Sequence, residues 1–363
     1  MTAYSRYLVA ILFVFGVQGD LISGETPDAF PHLVPQRLLG LVHAPEVRQE
    51  LKLSAEQVED LEKLLRELDL TWFRSRNLSP QEQHPVVHEL ERKVWEWFGK
   101  STSESQRQRL QQLEYYAQGT RLLLRRDVAN QIRLFTSQQQ KLAELARVTD
   151  EAQIALGRTL AGDPQIKKLQ AKADKAAKSE RDGIAKILRP EQQQQLRSLL
   201  GDPFDPTRLR RIYALAPEFV PVQHWINSSP LTMQELRGKV VLVHFYAFQC
   251  HNCHANFPVY QRWQKELTGK GVVLIGIQTP ETKRERDTDA VTNAAREREL
   301  MFPILIDLDS ANWNSWGNTM WPCVYLVDKQ GYIRMWWAGE LNWKGATADK
   351  TIEAAVEALL KEE

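Results

Sequence analysis

Cys250-His251-Asn252-Cys253 sets two thiols three positions apart, directly after the apolar run Val240–Ala247. The chain has only one other cysteine, Cys323, which follows Pro322. If a helix starts at Cys250, both sulfurs lie on its first turn and can close a small disulfide. The first sulfur also meets the positive end of the helix dipole, which favours the thiolate. Thiolate is the species that attacks disulfides. Two other chemistries share these letters. Cys250-His-Asn-Cys253-His254 spells the C-x-x-C-H of covalent haem attachment, with His254 as axial ligand. A zinc site needs four ligands, and no second pair accompanies Cys250, Cys253 and His254.

The elements that would hold this pair read as α/β from about residue 206 onward. Strands are expected over 240–245, 272–277, 304–306, 324–327 and 332–337. Helices are expected over 255–267, 289–298 and 348–360, in alternation with them. Lys329-Gln330-Gly331 marks a hairpin turn between the last two strands. Trp336 and Trp337, adjacent on a strand, must face opposite sides.

In this half the chain resembles the thioredoxin fold, and within it the TlpA/ResA-like extracytoplasmic thiol–disulfide oxidoreductases of the redoxin superfamily. The features that carry the likeness are ordered along the chain. They are the lead-in Leu231–Lys239, the strand into Cys250-x-x-Cys253, Pro258 inside the following helix, the stretch Ile304–Trp316, Trp321-Pro322 before a strand, and Gly339-Glu340 after the last strand. The resemblance implies catalytic roles for Cys250 (nucleophile), Cys253 (resolving thiol) and Pro322, which, if cis, holds the substrate strand. It gives Trp321 to substrate binding, and makes His244 and Glu340 candidate proton relays. It implies no cofactor and no metal. The partners would be protein thiols or disulfides and a further redox partner protein.

Three positions depart from the family pattern. Gln249 stands where Trp is usual, His244 where a buried acid or amide is common, and Cys323 where Thr is frequent. A core histidine competes with the relay reading of His244, and a small buried hydrophobe competes with a redox role for Cys323. Peroxiredoxins carry Pro and Thr or Ser upstream of their cysteine. Val243 and Ala247 at those spacings argue against peroxide chemistry.

The N-terminal half reads as all-α. Val58, Leu61, Leu65 and Leu68 form one helical stripe. Ser54/Gln57, Ser79/Glu82, Ser103/Gln106 and Thr136/Gln139 fit capping boxes. Pro80, Pro164 and Pro190 suit first-turn positions. Leu53-Ser-Ala-Glu-Gln57 and Leu188-Arg-Pro-Glu-Gln192 are similar to a helix-start phrase of small helical periplasmic stress proteins. The region holds no cysteine, and His32, His43, His84 and His88 are scattered in sequence. Gly201–Pro206, with two prolines, reads as a linker. The expected class is therefore an α+β two-domain chain, with a helical domain over 25–205 and a thioredoxin-like domain over 206–363.

Arg6 followed by the apolar stretch Tyr7–Val17 and then small residues is a signal-peptide pattern over 1–24. It falls short of the about 20 apolar residues of a span. The expectation is a periplasmic or secreted protein, with an N-terminal membrane anchor as the alternative. Export would permit disulfide chemistry. With 47 basic and 46 acidic residues among 363, nothing calls for a nucleic acid. A second class of function stays open: a partner-binding helical envelope protein carrying a redox-sensitive thioredoxin-like module.

Overall fold

The computed structural model describes residues 30–157, 159 and 164–362, so the segment 1–24 lies outside the described residues. Packing divides the chain into two units. One is helical, comprising residues up to Leu65 together with Leu78–Ile212; the other comprises Arg66–Asn77 and Tyr213–Glu363. The class is α+β, a helical region followed by a mixed-sheet domain. Two differences from the linear reading stand out. The changeover lies at 212/213 rather than at the proline pair, and a twelve-residue piece from far upstream belongs with the C-terminal unit.

The helical chain runs α1 (Leu38–His43), α2 (Pro45–Glu50), α3 (Ala55–Ser75), α4 (Pro80–Ser101), α5 (Glu104–Gln118), α6 (Arg126–Gln131), α7 (Thr136–Gly157), α8 (Ile166–Ile187) and α9 (Pro190–Leu200). Reciprocal caps start α4 and α5: the Ser79 and Ser103 hydroxyls accept from the N–H three residues on, and Glu82 and Gln106 return the bond. Ser54 and Gln57 make the same exchange at α3. At α7 the frame is shifted by one. Thr136 is already helical, and Gln138 instead accepts from the Phe135 N–H at 2.9 Å. Pro80 and Pro190 open their helices, whereas Pro164 precedes α8. The core of this unit gathers Tyr115, Leu122–Leu124, Val128, Ile132, Leu142 and Ala146.

The C-terminal unit is built on strands β1 (Trp225–Ile226), β2 (Val240–Tyr246), β3 (Val272–Gln278), β4 (Ile304–Ile306), β5 (Cys323–Val327) and β6 (Ile333–Ala338). Their order is β1-β4-β3-β2-β5-β6. β2, β3 and β4 run parallel, while β1, β5 and β6 pair antiparallel with their neighbours. β2 is buried at every residue, and its side chains alternate between two cores. Val240, Leu242 and Tyr246 join one, with α10 (His251–Leu267), α11 (Thr288–Glu297) and α13 (Ala348–Lys361). Val241, Val243 and Phe245 join the other, with Phe73 and with Trp313 of α12 (Ala311–Ser315). Trp337 packs on the first core and Trp336 on the second, as period-two geometry requires. Gly331, at φ +84, closes the β5–β6 hairpin.

Candidate active site

β2 delivers the chain to Cys250, which is the N-cap of α10. Its carbonyl accepts from the N–H groups of Cys253 (3.1 Å) and His254 (3.3 Å), so the helix begins within the motif itself. All three cysteines are free thiols. Cys250 keeps 9% of its surface exposed and Cys253 none. Burial, then a hydrogen bond to Cys250, pushes the Cys253 thiol well above its ordinary range, against the opposing effect of the Ala247 backbone. The two sulfurs are therefore unequal, and the buried Cys253 thiol is the one held protonated.

β2, β3 and α10 bring together a cluster of polar but neutral side chains. His244 is fully buried, with its ring 4.0 Å from that of Tyr260, 4.9 Å from Phe302 and 5.4 Å from Tyr246. Neither ring nitrogen makes a hydrogen bond of normal geometry. Burial lowers its pKa to about 3, only partly offset by the Ile275 backbone. It is thus a neutral core histidine, and an unsatisfied one. Its cross-strand partner is Gly276, where a Cβ would stand 3.2 Å from His244 Nε2 and 3.0 Å from the Phe302 ring, so the missing side chain is what admits the imidazole. Gln278, two residues further along β3 and on the same face, is also fully buried with both amide atoms unpaired.

Several residues that the sequence reading did not single out organise this site. Asn256, one turn after Cys253, donates to Tyr260 Oη (3.2 Å) and the Gly339 carbonyl (3.3 Å), and accepts from the Leu341 N–H (2.8 Å). It ties α10 to the loop holding Glu340, which enters the site through its main chain: its carbonyl accepts from Trp337 Nε1 at 3.2 Å. Glu285 is fully buried. Its carboxylate accepts from the N–H groups of Gln249 (2.6 Å), Glu281 (2.8 Å) and Thr282 (2.8 Å), fixing the residue just before the nucleophile. Thr282 donates to the Gln249 side-chain carbonyl at 2.6 Å, which leaves the amide nitrogen of this exposed residue as its donor end. A buried acid 36 residues from Gln249 carries no local signal.

The Trp321–Pro322 bond is cis. Pro322 is buried, and its carbonyl accepts from the Gly339 N–H at 2.7 Å. Trp321 is half-buried and stacks on Trp313 with ring centroids 4.0 Å apart. Cys323 points to the opposite face of the sheet from Cys253, beside its register partner Phe245. Its thiol donates to the Met320 carbonyl (3.1 Å), and burial pushes it up to about 12 against the charge of Arg76. This is the environment of a small buried hydrophobe.

The residues do not suit haem attachment. That chemistry needs both sulfurs open to a porphyrin edge, whereas Cys253 is sealed in the aromatic core and His254 is engaged by the Phe248 carbonyl at 2.7 Å. In the helical unit the rings of His84 and His88 stand 6.3 Å apart, as their i, i+4 spacing on α4 allows, and His32 lies 5.9 Å from His84, which the sequence does not suggest. Among the described residues, however, no three His, Cys, Asp or Glu side chains are arranged to hold a metal ion.

A strand running into an N-capping cysteine, a buried partner thiol on the helix's first turn and a proline-led antiparallel strand in the same sheet make a thioredoxin-like arrangement. Comparison with known proteins agrees: residues 214–335 match the AhpC/TSA family model. Protein DipZ of Mycobacterium bovis is 34% identical over 122 residues, covering 33% of this chain and 18% of DipZ. The thiol-disulfide oxidoreductase YkuV of Bacillus subtilis is 25% identical over 128 residues, covering 35% of this chain and 86% of YkuV. Among solved structures, a thioredoxin-like protein in its oxidised form is 26% identical, covering 42% of this chain and 95% of that one, with a TM-score of 0.35. The C-terminal unit is thus similar to thioredoxin-like proteins, among them a thiol-disulfide oxidoreductase. The chain spans less than a fifth of the length of the first curated relatives it matches.

Proposed function

We propose that this protein exchanges dithiol and disulfide with protein substrates outside the cytoplasm, through Cys250 and Cys253. The observation that carries the reading is the inequality of two neighbouring sulfurs, one at the mouth of a helix and one buried beneath it. The Cys250 thiolate attacks a substrate disulfide, one substrate sulfur leaves and takes a proton, and a mixed disulfide forms. Cys253 then gives up its proton and attacks the Cys250 sulfur. The second substrate thiol is released, and two electrons have passed from the protein's dithiol to the substrate. The reverse sequence oxidises a substrate dithiol. Burial keeps Cys253 protonated until the mixed disulfide has formed, so resolution follows capture. With a pKa near 3, His244 stays neutral and serves as a core side chain rather than as a proton acceptor. Trp321 and Pro322 line the edge that seats the substrate strand, and Glu340 lies in the loop tied to that edge.

The export reading rests on Arg6 and the apolar Tyr7–Val17 stretch. No described helix is long and apolar enough to cross a membrane.

The test is dithiothreitol-driven insulin reduction by the full chain. Cys250→Ser should abolish turnover, and Cys253→Ser should accumulate a mixed disulfide visible on a non-reducing gel. Turnover that persists in Cys250→Ser would sink the assignment. No turnover in the wild type would instead favour the helical unit as a partner-binding module.

A further inference from the structure

We propose that Arg76 is a positioning residue of this site, supplied by the upstream segment Arg66–Asn77. It holds the turn that leads to Trp321–Pro322, and so governs how a protein disulfide is seated beside Cys250. This inference rests on the exchange reaction proposed above.

The segment is an integral part of the C-terminal unit. Asp69 accepts from the Leu215 N–H at 2.9 Å, and Phe73 meets Tyr325 (6.0 Å) and Trp336 (5.7 Å) edge-on. The Arg76 guanidinium sits 3.6 Å above the Phe73 ring. It donates to the carbonyls of Phe73 (2.6 Å), Trp316 (2.8 Å) and Gly317 (3.1 Å) and to Tyr325 Oη (3.0 Å). Asn77 adds a second donor to the Gly317 carbonyl, at 2.6 Å. Gly317 has φ +61, and a Cβ there would stand 3.2 Å from Arg76 Nη1 and from Asn77 Nδ2. Only glycine permits both the backbone and the approach.

Two routes lead from this clamp to Trp321. Tyr325 Oη accepts from Arg76 and donates to Asn318 Oδ1 at 2.6 Å, three residues before Trp321. The Asn318 N–H donates to the Trp313 carbonyl (3.1 Å), and the Trp313 ring stacks on that of Trp321. One planar cation thus satisfies four oxygens on three elements. A lysine could not reproduce that geometry, because its single ammonium lacks the guanidinium fork.

The experiment compares the full-length wild type with Arg76→Met and Arg76→Lys, by amide hydrogen exchange over 316–322 and by steady-state kinetics. In Arg76→Met, exchange in that segment should rise about tenfold, as should KM for insulin, the scale of one or two lost hydrogen bonds. The kcat for insulin and the reduction of a small aromatic disulfide should hold within about twofold, because the small substrate needs no strand seat. Arg76→Lys should fall between. Unchanged exchange together with unchanged KM overturns the proposal. So does a parallel loss of activity on both substrates, which would mean general unfolding. If wild-type insulin reduction proves independent of Cys250, the exchange reaction falls. The hydrogen-exchange comparison then decides the clamp by itself, and unchanged exchange rejects it.

Discussion

Two buried polar clusters, one in each unit, are built in opposite ways. In the helical unit one cluster joins ions to their counter-ions. Arg121 reaches Asp150 at 2.7 Å and also Glu180, with all three side chains nearly sealed from water. Arg125 faces Glu114 at 3.3 Å, and Glu91 lies close by, accepting the Leu38 N–H at 3.0 Å. In the C-terminal unit a cluster on β2, β3 and α10 is neutral: His244, Tyr246, Asn256, Tyr260 and Gln278, and the side chains of His244 and Gln278 make no hydrogen bond of normal geometry. Paired ions fix one arrangement of helices, since separating them leaves a bare buried charge. A neutral face instead suits a thiol that must stay protonated, and then lose its proton only during one step.

Breaking an ion pair should therefore have the largest consequence. Arg121→Met leaves Asp150 and Glu180 facing each other without a cation, and should destabilise the helical unit by about 3–5 kcal/mol in chemical denaturation. A loss below about 1 kcal/mol would show that the network is not what orders these helices. On the neutral side the corresponding cost is steric. Gly276→Ala presses a methyl group on His244, Tyr246 and Phe302, and should cost about 1–3 kcal/mol. A fully stable Gly276→Ala variant would mean that the imidazole has room to retreat.

The subtlest contrast is in pH. Glu91 is raised from 4.5 to about 8, by burial first and by the Glu114 charge second. The folded protein keeps a proton that the unfolded chain releases, so this stability is full below pH 4.5 and is lost as pH rises through 8. His244, depressed from 6.5 to about 3, gives the opposite slope: its contribution is full above pH 6.5 and is lost as pH falls toward 3. Each slope is bounded by about 1.4 kcal/mol per pH unit. In scanning calorimetry across pH, Glu91→Gln should flatten the alkaline-side decline and His244→Asn the acid-side decline. A Glu91→Gln profile parallel to the wild type would remove that contrast.

Much of the fold could be read in advance because its signals are local. The apolar run into Cys250, the alternation of strands with helices, the Lys329–Gly331 turn and the Ser-x-x-Glu/Gln starts at 54, 79 and 103 are all set by neighbours a few residues apart. The shifted start of α7 was missed because Thr136 and Gln139 fit the template as well as the pair actually used. β1 is two residues long and has no period to detect. Within the site, the positions of Cys250, Cys253, Trp321 and Pro322 follow from motif order. Glu285 and Arg76 do not, because their partners lie 36 and 240 residues away and only the folded chain brings them together. That the His244 ring finds no hydrogen bond of normal geometry is likewise a property of its surroundings rather than of its strand.

The separation of Arg66–Asn77 from Tyr213 also bears on biosynthesis and on fragment design. On the ribosome the upstream piece emerges long before the sheet that it completes, so its aromatic and basic side chains must wait through more than a hundred residues of translation. An expression fragment begun at residue 206 would leave the Phe73 socket on Tyr325 and Trp336 open to water. Such a truncation is expected to be sticky and poorly soluble, and co-expressing the missing dodecamer as a fused or separate peptide is the natural remedy.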